Sequence, residues 1–201
     1  MNMAWIRTVF LCSAVLLLSA CAGAPTEYLR LSAEGPPLAT QGLSTSREIL
    51  LVDHVQMPAS IDRLYLTRGH GEQGMQVSGH VRWIAPLGGM AQRILAEDLR
   101  RQLPQTTVLL AGAPLPQRAR PLQLRVEVQE FLPLSSGAVV LDADYFLLDA
   151  QQQLRYAGHF HYRAKADANP HSEAQTMSAG IAALAHDIAQ HLAAAYRVPV
   201  H

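Results

Sequence analysis

The chain has 201 residues, 49% of them hydrophobic and 16% charged, and its 16 Lys+Arg balance 16 Asp+Glu. The charges form neither a basic stripe for nucleic acid nor a polybasic run for anionic lipid, and the apolar content excludes a disordered chain. The only cysteines are Cys12 and Cys21, and no internal repeat or low-complexity tract interrupts the sequence.

Residues 1–7 carry one charge, Arg7, and residues 8–18 are almost continuously apolar. A membrane-spanning helix needs about 20 apolar residues, so this shorter stretch reads as the core of a signal peptide rather than a spanning anchor. It ends Leu18-Ser19-Ala20-Cys21, which resembles the bacterial lipobox. There an apolar residue and two small ones precede a cysteine whose thiol takes up lipid. The expectation is a signal peptide over 1–20, a covalently lipidated Cys21 with a tether over 21–27, and one domain over 28–201. Cys12 is lost with the signal, so the mature chain keeps no pair for a disulfide and must rely on an ordinary core. Ala22 stands where an aspartate would retain a lipoprotein at the inner membrane. The resemblance therefore implies sorting to the outer membrane, with the domain facing the periplasm. Several acyl chains on one cysteine hold a protein firmly where a single chain does not.

Along the domain, residues 28–31, 49–55, 61–67 and 75–83 read as strands, the last bending near Gly79. A loop rich in Pro, Gly, Ser and Thr is expected over 35–46 and a turn over 69–74. Pro86 and Gly88-Gly89 separate strand from helix, and residues 90–103 carry Ala91, Ile94, Leu95 and Leu99 on one face of an amphipathic helix that Pro104 stops. Residues 106–110 form a short β-rich run. In 122–128, Leu122, Leu124, Val126 and Val128 alternate with polar residues, as in a strand with one face in the core. Residues 139–148 and 154–162 read as an antiparallel hairpin joined by 149–153. The last element is a helix of about 20 residues, with Ser172 and Gln175 as a capping box and Met177, Ile181, Leu184, Ile188 and Leu192 as an apolar stripe. The fold class expected is α+β: a single domain with a mainly antiparallel mixed sheet and two amphipathic helices packed on it.

These landmarks resemble the ABC-type transport auxiliary lipoproteins, the PqiC-like family. The residues that carry the resemblance are the lipobox cysteine, Tyr28-Leu29-Arg30-Leu31, Val55-Gln56-Met57-Pro58, Ile61-Asp62-Arg63 and Val81-Arg82-Trp83-Ile84-Ala85-Pro86-Leu87, leading into the amphipathic helix. The chain departs from the pattern at Ile84-Ala85-Pro86, where an alanine and an acidic residue would stand between the tryptophan and the proline. The resemblance implies a non-enzymatic accessory subunit of a transport system built from a mammalian-cell-entry (MCE) substrate-binding component, a permease and an ATPase, linked to lipid movement and membrane integrity. The implied partner is the periplasmic MCE component, and the implied added group is covalent lipid alone. Trp83, Pro86, Leu87, Asp62 and Arg63 are the motif residues, with two readings open: Trp83 as a core anchor or a binding residue, and Asp62 and Arg63 as structural or partner-facing.

An enzymatic alternative is a metallohydrolase. His159 and His161 share one face of their strand, as Asp142 and Asp144 do on the neighbouring one, and same-face histidines can ligate zinc if a third ligand is in reach. The competing reading is a solvated outer face. The chain contains no P-loop, no dinucleotide fingerprint and no nucleophile elbow, so ATP hydrolysis would belong to a partner. The remaining histidines look scattered. On the 139–148 strand, Val139, Leu141, Ala143, Tyr145 and Leu147 can face the core, which puts Val140, Phe146 and Leu148 on the opposite face. Those three need cover from the C-terminal helix, a second copy in a homo-oligomer or a transport partner.

Overall fold

A computed structural model describes residues 25–34, 48–70 and 74–197, with side chains through 192. Cys21, the signal segment and the whole 35–46 loop lie outside the described residues. Eight strands and two helices follow in the order β1 (Glu27–Leu29), β2 (Glu48–Val52), β3 (Tyr65–His70), β4 (Gly74–Trp83), α1 (Leu87–Gln102), β5 (Thr106–Leu110), β6 (Leu122–Leu134), β7 (Ala138–Leu148), β8 (Leu154–Lys165) and α2 (Pro170–Arg197).

The strands form one mixed sheet in the order β1-β4-β3-β6-β2-β5, with β7 on β6 and β8 on β7. The long pairings, β3–β4, β6–β7 and β7–β8, are antiparallel; β1–β4, β2–β5, β2–β6 and β3–β6 are parallel. Strand β7 takes one whole edge of β6, so β2 and β3 share the other, pairing at Leu122 and Leu134 respectively. Gly69 makes the second of these junctions possible. A Cβ there would lie 2.7 Å from a Leu134 methyl and 3.0 Å from one of Leu132.

Both helices pack on one face. The expected α2 stripe is the core: Met177, Ile181, Leu184, Ile188 and Leu192 are all buried. Gly180 lets α2 approach β8, since a Cβ there would be 3.1 Å from the Tyr162 ring. Helix α1 lies beside α2 and over the β2–β5 end, where Gln92 donates to the Val52 carbonyl at 3.2 Å. Its buried face adds Leu87 and Met90 to the expected Ala91, Leu95 and Leu99, with the expected Ile94 half-buried at its edge. Each fully buried side chain of this size contributes roughly 1.5–3 kcal/mol.

Several boundaries differ from expectation. Strand β3 starts at Tyr65 rather than 61, because the Pro58 carbonyl accepts from both Ile61 and Asp62 N–H groups and coils 58–62 into a tight turn. Helix α1 starts at Leu87, so Gly88 and Gly89 are its first turn and not a linker. The β4 bend is a bulge, with the register slipping between Tyr65 and Thr67 while the Ser78 hydroxyl accepts from Val81 N–H at 3.0 Å. The α2 cap is Asn169, whose Oδ1 accepts from Ser172 N–H at 2.8 Å; Ser172 instead accepts from Asp167 N–H. Glu173, in the first turn and nearly buried, pairs with Arg68 at 2.6 Å and favours the positive helix end.

Candidate functional site

The motif residues converge where β4 hands over to α1. Trp83 is buried and donates its N–H to the Leu64 carbonyl at 2.7 Å, and Leu87 is buried beneath the first turn of α1. Helix α1 lacks a capping side chain at Pro86. Asp62 supplies one from outside the helix: its Oδ1 accepts from Gly88 N–H at 2.9 Å. Glycine at 88 suits this approach, because a Cβ would sit a tight 3.0 Å from the Val55 carbonyl. Arg63 is exposed and donates to the Ala59 carbonyl at 3.0 Å, and Pro86 is exposed. Trp83, Leu87 and Asp62 thus hold the turn together, which leaves Arg63 and Pro86 as the motif residues on the surface.

Beside this turn, a cleft of about 450 Å³ opens between the edge of β1 and the first turns of α2, lined by Tyr28, Ile84, Glu34, His171, Gln175 and Ser178 among others. Glu27 pairs with His171 at 2.8 Å, and Ser32 N–H donates to the Ser178 hydroxyl at 3.1 Å. Burial, helped by the Asp98 charge, raises the pKa of Glu34 above the usual carboxylate range. Burial, with Glu34 second, raises that of Tyr162.

His159 and His161 share the face of the hairpin away from the helices, as expected, and lie in register with Asp144 and Asp142. His159 Nδ1 lies 2.9 Å from Asp144 and His161 Nδ1 3.1 Å from Asp142, so each imidazole is taken up by its own carboxylate. Gln129 donates to the other oxygen of Asp144 at 3.0 Å. The hydrogen bond to Asp144, against a smaller opposing desolvation, raises the His159 pKa; the charges of Asp142 and Asp144 add to it. Among the described residues no three His, Cys, Asp or Glu side chains converge to hold a metal ion. The metallohydrolase reading has nothing to stand on here.

Helix α2 covers the other face of β7, where Val139, Leu141, Ala143, Tyr145 and Leu147 are fully buried. It therefore cannot cover Val140, Phe146 and Leu148. Cross-strand neighbours do part of that work: Val140 lies in register with Leu132 and Arg163, and Leu148 with Gln123 and Leu154. Val140 and Leu148 are 3% and 8% exposed within a single copy, and Phe146 is half-buried. Val140 and Leu148 are thus largely covered within one copy, and Phe146 keeps part of its surface open.

Sequence reasoning missed a polar cluster under α2. The Tyr145 hydroxyl donates to Asp187 at 2.6 Å and lies 3.0 Å from Nδ1 of His191, on which the Tyr156 ring stacks at 4.8 Å. Gly158 leaves room for Tyr145, since a Cβ there would stand 2.3 Å from its ring. The four-residue spacing of Asp187 and His191 puts them on one helix face, but only the fold brings Tyr145 and Tyr156 to them.

No curated protein sequence matches the chain. The profile of the family described as ABC-type transport auxiliary lipoprotein component matches residues 29–189. Solved structures that share the fold include two that cover most of the chain. One, of an uncharacterized protein, has a TM-score of 0.69 at 23% identity and covers 84% of this chain and 99% of its own. The other, a DUF330 protein from Xanthomonas campestris, has a TM-score of 0.66 at 13% identity, covering 85% and 97%.

Proposed function

The chain belongs to the ABC-type transport auxiliary lipoprotein family, and from that premise we propose that it is a periplasmic lipoprotein, anchored in the outer membrane through Cys21, that serves as a non-enzymatic accessory subunit of an MCE-type envelope lipid transport system. The observation that carries this reading is the family match across residues 29–189. Leu18-Ser19-Ala20-Cys21 supports the anchor, and Ala22 supports onward sorting. No helix among the described residues is long and apolar enough to span a membrane. The protein holds the periplasmic MCE component near the membrane, and energy comes from the system's ATPase. Purification of the tagged, lipidated protein from envelopes tests this. The MCE component should co-purify in excess over a control with an unrelated lipoprotein. Equal recovery in both would overturn the partnership.

A further inference from the structure

Four exposed large apolar side chains stand on neighbouring backbone at one corner: Tyr28, Leu64, Tyr65 and Ile84, at 61%, 47%, 36% and 59%. Strand register places Tyr28, Arg82 and Tyr65 in one row across β1, β4 and β3. The Arg82 guanidinium lies 4.6 Å from the centre of the Tyr65 ring, and its Nε is buried with no hydrogen-bond partner among the described residues. Ile84 is fixed beside the row by its N–H bond to the Leu29 carbonyl at 2.9 Å, and Leu64 by accepting from Trp83 N–H at 2.7 Å. Arg30 and Arg63 are exposed on adjoining residues. Of the neighbouring carboxylates, Glu27 pairs with His171 at the surface, Asp62 accepts from Gly88 N–H, and Glu34, in the adjoining cleft, is the one whose burial favours the neutral form. The corner therefore presents tyrosine, aliphatic and arginine groups with little free negative charge.

This corner also adjoins the tether. Cys21 precedes Glu27 by six residues, a length of chain that spans at most roughly 20 Å. We infer that the Tyr28–Arg82–Tyr65 corner rests on the phospholipid surface of the membrane that holds the anchor; the inference depends on lipidation of Cys21. Tyrosine rings favour the headgroup level, arginine pairs with lipid phosphate, and Leu64 and Ile84 reach the acyl boundary. Each contact is weak in free solution, but the short tether makes it intramolecular and gives it a high effective concentration. A protein surface is the competing occupant. The short tether favours lipid, because the bilayer is already within its reach. The far end of the domain is then directed away from the membrane. Glu27 pairs with His171 at one end of α2 and Tyr156 stacks on His191 at the other, and twenty helical residues separate those histidines by roughly 30 Å.

The chain supplies a clean reporter, since with Cys12 removed and Cys21 acylated an introduced cysteine is the only free thiol. Ile84→Cys and Leu154→Cys, both at exposed sites, are labelled with an environment-sensitive fluorophore in the full mature lipoprotein. Each is reconstituted in phosphatidylethanolamine–phosphatidylglycerol vesicles containing spin-labelled lipid. Quenching should be several-fold greater at 84 than at 154, and Arg82→Gln with Tyr28→Ser should reduce it. Equal weak quenching at both sites in protein that floats with the vesicles overturns the inference while leaving the anchor intact. The same holds if position 84 responds only when the MCE component is added, which would make the corner a protein surface. Protein that carries no acyl group and does not float overturns the anchor, and the inference with it.

Discussion

Histidine and aspartate meet on both faces of the β7–β8 hairpin, on one side against a buried tyrosine and on the other without one. Under α2, Tyr145, Asp187, His191 and Tyr156 form a packed cluster in which the Tyr145 ring is wholly buried and its hydroxyl is held at 2.6 Å by Asp187. Burial first, and that hydrogen bond second, push the Tyr145 pKa far up, so the hydroxyl stays a donor. On the other face, His159 and His161 pair with Asp144 and Asp142 at similar distances, but in water. The same chemical groups hold the fold in one place and decorate it in the other. Burial strengthens the bond at the Tyr145 hydroxyl, although Asp187 and His191 themselves are 29% and 38% exposed, and solvent screens the more open His159 and His161, at 61% and 53%. Among the described residues no third ligand reaches the exposed pairs, so the metal-site reading of them has no support.

The largest expected break in this contrast comes from Gly158→Ala. The added Cβ would collide with a Tyr145 ring that cannot swing away, pinned as it is by Asp187 and stacked on Tyr156. A loss of about 3 kcal/mol is expected, read from urea denaturation. It should shrink in a Tyr145→Leu background, since contacting residues couple. Unchanged stability in Gly158→Ala would show that the cluster is loosely packed. Tyr145→Phe should cost about 2 kcal/mol, the worth of a hydrogen bond to a charged acceptor. Asp62→Ala tests an intermediate case, a half-buried carboxylate capping a neutral N–H, and should cost about 1 kcal/mol.

The exposed pairs should give the smallest effects. His159→Ala with His161→Ala is expected to change stability by less than about 0.5 kcal/mol. The raised His159 pKa fixes the sign of its pH dependence. Any stabilisation is fully present below the ordinary imidazole pKa and is lost as pH rises through the raised folded value. A proton NMR titration should place His159 above the usual range, and Asp144→Asn should bring it down. No movement in Asp144→Asn would detach the shift from that pair.

Much of this architecture was legible because its signals are periodic. The alternation of Leu122, Leu124, Val126 and Val128, and the spacing of Met177, Ile181, Leu184, Ile188 and Leu192, report faces directly. Opposite faces for His159 and Tyr156 followed from the same period of two. What stayed hidden depends on groups distant in sequence. Gly88 and Gly89 read as a linker because the cap that starts α1 comes from Asp62. The 61–67 run read as one strand because its apolar residues do not disclose that the Pro58 carbonyl closes a turn. Ser172 and Gln175 matched a capping box, yet Asn169 lay one turn earlier and took the role. The cover for Val140 was also invisible, since Leu132 and Arg163 reach it only through strand pairing.

The central claim is that the protein works through tether and surface rather than chemistry of its own. Complementation of a deletion strain, scored as restored resistance to detergent, tests it most directly when two variants are compared at equal expression. Cys21→Ser should fail to restore resistance, whereas His159→Ala with His161→Ala should restore it fully. Rescue by Cys21→Ser together with failure of the double histidine variant, in correctly folded protein, would contradict the account.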